Sequence, residues 1–123
     1  MRRKTFKAKR SSEEYVAQVH VVRWLMIQYP DVLFCATLGG VRVGIGLARK
    51  LKMQGYQAGI PDLVIYEPRK GYHGLMIEMK KEIGGVVSDS QMCWGRELIS
   101  RNYKFEICHG EDQAMKVIKE YLE

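Results

Sequence analysis

GIPDLVIY (residues 59–66) and LMIEMK (residues 75–80) are the two stretches that determine the expected fold of this 123-residue chain. The apolar run that follows Asp62 is typical of a buried strand, and residues 75–80 alternate with the two-residue period of a strand. Turn-forming residues separate the two runs. We therefore expect a β-hairpin that carries Pro61-Asp62 at the start of one strand and Glu78-Met79-Lys80 at the end of the other.

Two carboxylates and one ammonium group make this hairpin chemically unusual. In a strand, Glu78 and Lys80 share a face at a spacing of roughly 6.6 Å, and Asp62 can lie near Glu78 if the strands pair. Acidic side chains brought together at a sheet are costly unless a cation neutralises them. A divalent cation bridging the carboxylates and a phosphate would do so, with Lys80 beside the attacking water. A Glu-x-Lys triplet alone is common, and a polar strand face is its simpler explanation; the preceding Pro-Asp favours a catalytic role.

The first half of the chain is predicted to hold two helices and a short strand. A helix capped by Ser11 or Ser12 runs to about Gln28, and its apolar positions follow three-and-four spacing: Tyr15, Val16, Val19, Val22 and Met26. Val32–Thr37 is predicted to be a strand. A helix over Leu47–Gln54 then ends at Gly55, a suitable residue for a helix C-terminus.

The second half adds helices and a strand around the hairpin. Ser88 caps a helix to about Asn102, Tyr103–Cys108 is a strand, and Gly110 precedes a final helix. That final helix carries its apolar residues at helical spacing: Ala114, Val117, Ile118, Tyr121 and Leu122. The order of elements predicts one α/β domain over residues 11–123, with a small mixed sheet flanked by helices.

Positive charge is concentrated in residues 1–10. Six of the 20 Lys and Arg residues lie there without any acid, which leaves 14 basic against 14 acidic residues in the remainder. We interpret residues 1–10 as a basic flexible arm. Such an arm attracts polyanions, although a solubility tail or a targeting signal explains it equally well.

Cysteine and histidine positions argue against a zinc site and against a disulfide framework. Cys35, Cys93 and Cys108 are odd in number and lack C-x-x-C spacing, and the three histidines lie far apart. Buried free thiols in a reducing compartment are the simplest interpretation. No apolar run approaches the ~20 residues of a membrane span, and no signal peptide follows the arm. These patterns predict a soluble, cytoplasmic protein without a small-molecule cofactor.

An ordered set of motifs resembles a known nuclease family. Glu14, the G-x-P-D motif ending at Asp62, the Glu78-x-Lys80 motif and Gln91 resemble the PD-(D/E)XK nuclease superfamily and, within it, the VRR-NUC domain. The resemblance runs from about Ser12 to the C-terminus. It implies a restriction-endonuclease-like core of one helix, three strands, a helix and a strand. It also implies hydrolysis of DNA phosphodiester bonds with Mg²⁺, for which Mn²⁺ substitutes.

The resemblance further implies roles for individual residues. Asp62 and Glu78 would be metal ligands, with the Met79 backbone carbonyl as a possible third, and Lys80 would position the water. Gln91 would support the site, and Glu14 would complete the acidic cluster and serve as a further metal ligand. Family members of this length, from phage and bacteria, resemble homodimers that cut branched DNA such as four-way (Holliday) junctions.

Several alternatives stay open at the level of sequence. Ser11-x-x-Glu14 and Ser88-x-x-Gln91 both fit a helix capping box, which explains each pair without catalysis, and Glu13 replaces Glu14 if the helix phase differs. The segment between the first strand and the second helix is rich in glycine (Gly39, Gly40, Gly44 and Gly46). Basic residues near this segment and after the hairpin either bind phosphates or form a solvated surface: Arg42, Arg49, Lys50, Lys52 and Lys81. A non-catalytic DNA-binding module and an RNA-directed nuclease are the competing functions.

Overall fold

The hairpin forms the centre of a mixed four-stranded sheet with the strand order β1-β2-β3-β4. A computed structural model describes residues 12–39 and 41–123. Along the chain the elements are α1 (Ser12–Gln28), β1 (Phe34–Ala36), α2 (Ile45–Met53), β2 (Leu63–Ile65), β3 (Leu75–Lys80), α3 (Asp89–Ser100), β4 (Lys104–His109) and α4 (Glu111–Leu122). The predicted α/β class and element order are confirmed. The predicted arm and the capping position Ser11 lie outside the described residues.

Strand pairing fixes the register of the acidic residues. β1 and β2 pair antiparallel, β2 and β3 pair antiparallel, and β3 and β4 pair parallel. Leu63 is the partner of Ile77 in the hairpin. Continuing this register by one residue brings Asp62 opposite Glu78. Because successive side chains of a strand point to opposite faces, Asp62, Glu78 and Lys80 share one face of the sheet.

The main hydrophobic core lies on the other face of the sheet. There α1 and α4 cover the inward side chains of β2, β3 and β4, and the core includes Leu25, Ile77 and Ile118. Gly95 of α3 approaches Phe105 of β4 so closely that an added Cβ would be 2.5 Å from its ring. Neither Gly95 nor Leu98 of α3 belongs to the core cluster. Helix α3 therefore packs on the opposite face of the sheet, the face that carries the acids.

The buried face of α1 differs from the predicted one. The helix buries Ala17, Val21 and Leu25, whereas Tyr15 and Met26 are exposed, at 61% and 59%. Apolar residues surround most of this helix, so that spacing alone permits two buried faces. The sheet and α4 contact the face that carries the small Ala17.

The structure also bears on two smaller predictions, one about the cysteines and one about membrane-spanning segments. Cys35, Cys93 and Cys108 are free, but only Cys108 is buried, so the prediction of buried thiols is wrong for the other two. No helix within the described ranges has the length and apolar character that crossing a membrane requires.

Candidate functional site: a buried carboxylate pair with a lysine

Asp62, Glu78 and Lys80 meet at the end of the hairpin, where all three side chains are buried. Their exposed fractions are 4%, 2% and 8%. Lys80 Nζ lies 3.5 Å from Glu78 Oε2. The Lys80 ammonium group can balance the charge of one carboxylate only. If both acids are ionised, the three side chains carry a net negative charge, and burying that charge is costly.

Asp62 is held by backbone groups on both sides of the strand start. Its Oδ2 accepts a hydrogen bond from the Met79 backbone N–H at 2.8 Å. Thr37 donates its backbone N–H to the Asp62 carbonyl at 2.9 Å and its hydroxyl to the Pro61 carbonyl at 2.7 Å. The end of β1 therefore fixes the Pro-Asp motif, a role of Thr37 that the sequence did not reveal.

Gly39 keeps space open beside the second oxygen of Asp62. A Cβ at this position would lie 3.6 Å from Asp62 Oδ1 and only 2.7 Å from the Ile60 carbonyl oxygen. The absence of a side chain lets the chain after β1 pass close to the carboxylate. A glycine two residues after the end of a predicted strand is the only sequence signal for this approach.

Gln91 reaches the site from the start of α3 and serves two roles at once. Its Nε2 donates to Glu78 Oε2 at 3.0 Å. Its Oε1 accepts from the Ser88 backbone N–H at 2.9 Å, and its own N–H donates to Ser88 Oγ at 3.2 Å, which completes a capping box. Capping and contact with Glu78 are thus compatible, since the cap fixes the rotamer that directs the amide nitrogen at the carboxylate.

Burial changes the acidity of Glu78. Loss of solvent, followed by the negative charge of Asp62, raises the pKa of Glu78 from 4.5 to about 9, against a smaller lowering by Lys80. Among the described residues, Glu78 Oε1 is one of two buried side-chain polar atoms without a hydrogen-bond partner, the other being Gln18 Oε1. Without another cation, the carboxylate pair therefore favours holding a proton.

These features fit a divalent cation. Carboxylate oxygens are the ligands that Mg²⁺ and Mn²⁺ take in proteins. The orphaned Glu78 Oε1 and the space beside Asp62 Oδ1 supply such oxygens, and a cation would displace the proton that the raised pKa of Glu78 retains. The sequence-predicted residues Asp62, Glu78, Lys80 and Gln91 are brought together.

Glu14 does not complete a three-acid metal cluster with Asp62 and Glu78. Among the described residues no three His, Cys, Asp or Glu side chains lie close enough to hold a metal together. Glu14 is half-buried and precedes the buried Gln18 by one turn of α1. Glu13 is exposed, and its Oε1 accepts from the Glu82 backbone N–H at 3.4 Å.

The predicted phosphate-binding residues lie in two places. Arg49, Lys50 and Lys52 are exposed on α2, and Arg42 is exposed before it. Lys81 is half-buried directly after β3.

Comparison with known proteins finds similarity to one domain family. The family model of the VRR-NUC domain matches residues 10–112. A solved structure described as a VRR_NUC domain protein is similar to the chain with a TM-score of 0.75 and 26% sequence identity, covering 92% of this chain and 90% of that one. No curated protein sequence matches the chain.

Proposed function

The chain belongs to the VRR-NUC domain family, a family of nuclease-type DNA-processing modules, and from this premise we propose that it is a Mg²⁺-dependent DNA endonuclease. The observation that carries the proposal is the buried pair Asp62 and Glu78 with Lys80 3.5 Å from the Glu78 carboxylate. A purely structural ion pair would not require the second buried acid. A DNA-binding module without catalytic activity would not need this second buried acid either.

We assign each side chain of the site a separate role in phosphodiester hydrolysis. Asp62 and Glu78 would hold one or two Mg²⁺ ions, with the Met79 backbone carbonyl as a further ligand, and Mn²⁺ would substitute. When bound, the metal supplies Lewis-acid stabilisation of negative charge on the phosphate and the leaving oxygen. Lys80 holds the attacking water by hydrogen bonding and offsets the charge that develops on the phosphate. Gln91 orients Glu78, and Glu14 is a more distant acidic contributor.

We propose branched DNA, including four-way junctions, as the substrate. A cleavage panel of single-stranded, duplex, flap and four-way DNA in Mg²⁺ tests this, with matched RNA strands in parallel. We expect the flap and four-way substrates to be cut faster than the duplex of the same sequence. Equal rates on all DNA forms would contradict the structural preference, and faster cleavage of RNA would favour the RNA-directed alternative.

We further propose a homodimer, in which two sites would suit paired strand cuts. The apolar residues that α1 leaves exposed, Tyr15, Val16 and Met26, support an interface between copies. Sedimentation equilibrium of the full chain is expected to give about twice the chain mass of 14.2 kDa. A mass of one chain at micromolar concentration would contradict the dimer.

Gln91 offers a test that separates capping from support of the site. Ser88→Ala removes the Oγ that accepts from the Gln91 N–H but keeps the Ser88 N–H that holds Gln91 Oε1. We expect it to lower the free energy of unfolding by ~1 kcal/mol, with little change in cleavage by the folded enzyme. Gln91→Leu also removes the contact to Glu78, and we expect cleavage to fall roughly 10–100-fold. Urea unfolding and single-turnover cleavage of both variants provide the measurements. Equal cleavage by the two variants would assign Gln91 to the cap alone.

A further inference from the structure

Helix α2 stands apart from the hydrophobic core. None of the residues from Ile45 to Met53 is buried, and the side chains of Ile45, Leu47 and Met53 are exposed, Met53 at 84%. A helix of nine residues is marginally stable in water without packing. The hydrophobic core therefore does not account for the position of this helix.

The inner side of this helix forms one wall of an apolar cavity of about 440 Å³. Ala48 and Leu51 line it from the helix. The segments before and after the helix contribute Leu38, Val41, Val43 and Tyr56. The volume lies within the range of roughly 300–1,000 Å³ that small-molecule sites occupy, and one aromatic ring is present on which a flat group can stack.

One wall of the cavity leads toward Asp62 of the carboxylate pair. Leu38, in its wall, is followed directly by Gly39, whose Cβ position would be 3.6 Å from Asp62 Oδ1. A group held in the cavity would therefore lie on the Asp62 side of the proposed metal site.

The charge on α2 matches a polyanion. Arg49, Lys50 and Lys52 are exposed on this helix, and the helix contains no acid. A basic surface around an apolar cavity with an aromatic wall combines the two features that bind unpaired nucleotides: cations for phosphates and a ring for the base.

We propose that this cavity receives one unstacked nucleobase of the DNA substrate, next to the cleaved phosphate, while the basic residues of α2 neutralise the neighbouring phosphates. The proposal rests on the proposed nuclease function and adds a reason for branched DNA to be preferred. Bases of a flap strand are unpaired, and base stacking is interrupted at a branch point, whereas a base in a continuous duplex must first be unstacked at a cost.

Binding without metal tests the cavity separately from catalysis. Flap DNA with one unpaired base at the branch point is compared with the same DNA carrying an abasic site there, by fluorescence anisotropy in EDTA. We expect wild-type protein to bind the abasic DNA ~10-fold more weakly, because stacking on one aromatic side chain has roughly this effect. Ala48→Trp, which fills the cavity, is expected to abolish the difference. Met53→Trp adds the same side chain outside the cavity and should preserve it.

Tyr56 supplies a second pair of variants in case Ala48→Trp does not fold. Tyr56→Phe keeps the ring and should preserve the preference for the intact base, whereas Tyr56→Ala should lose it. Equal binding of intact and abasic DNA by wild-type protein that still cleaves DNA in Mg²⁺ would overturn the cavity proposal alone. Failure to cleave any DNA would overturn the proposed function as well. A change of mass in solution on Ala48→Trp, with DNA preference unaltered, would assign the cavity to a second copy of the chain.

Discussion

Replacing Asp62 with asparagine is expected to lower Mg²⁺-dependent DNA cleavage by about 10³-fold or more. Asparagine has nearly the same shape and keeps an oxygen that can accept from the Met79 N–H, now at 2.8 Å from Asp62 Oδ2. Only the negative charge is removed, and with it a ligand for the cation. A 10³-fold loss corresponds to about 4 kcal/mol of transition-state stabilisation.

Three measurements on one set of proteins test this prediction. Single-turnover cleavage of a labelled junction compares wild type with Asp62→Asn and Lys80→Ala. Calorimetric titration with Mg²⁺ should show weaker binding for Asp62→Asn and for Glu78→Gln. DNA affinity in EDTA should stay within a few-fold of wild type for Asp62→Asn, which separates catalysis from binding. Equal cleavage by wild type, Asp62→Asn and Lys80→Ala would remove the proposed mechanism.

The metal-free protein is expected to lose stability as the pH rises, and Glu78 should cause much of the loss. The folded chain keeps the Glu78 proton up to a pKa of about 9, whereas the unfolded chain releases it near the ordinary value of 4.5. Between these values the folded state binds more protons than the unfolded state, so the free energy of unfolding falls with increasing pH. The slope from one such group is at most about 1.4 kcal/mol per pH unit.

Glu78→Gln isolates this contribution because glutamine has no proton to lose. We expect the two proteins to be similarly stable near pH 5 in EDTA. Toward pH 9, wild type should become progressively less stable than Glu78→Gln in urea unfolding. Saturating Mg²⁺ should stabilise wild type most at high pH, since the cation binds the deprotonated carboxylate. Parallel stability curves for the two proteins in EDTA would show that Glu78 titrates normally.

Local patterns in the chain predicted most of the secondary structure. The two-residue alternation of residues 75–80 gave β3 with its observed limits, Leu75–Lys80. Ser88 was identified as the cap of α3, and the structure confirms the complete capping box with Gln91. These features depend on residues close together in the chain, where spacing and side-chain type decide the geometry.

The orientation of α1 shows where such patterns fail. Its sequence is apolar around most of the circumference. Of the predicted apolar set, Tyr15 and Met26 are exposed, whereas Val22 packs against the edge of the core. The actual stripe contains Ala17, whose small side chain permits close approach to neighbouring elements. Which stripe is buried depends on what packs against the helix, and that is absent from the helix's own sequence.

By itself, the sequence determined the order of helices and strands and the presence of two acids, a lysine and a glutamine in motifs that resemble a nuclease. Only packing between distant segments shows that Asp62 accepts from the N–H of Met79, 17 positions away, that burial raises the pKa of Glu78, and that Leu38, Ala48 and Tyr56 line one cavity. The physical reason is that pairing register, solvent exclusion and enclosed volume arise between segments distant in the chain. Spacing within one segment fixes only which side chains share its face.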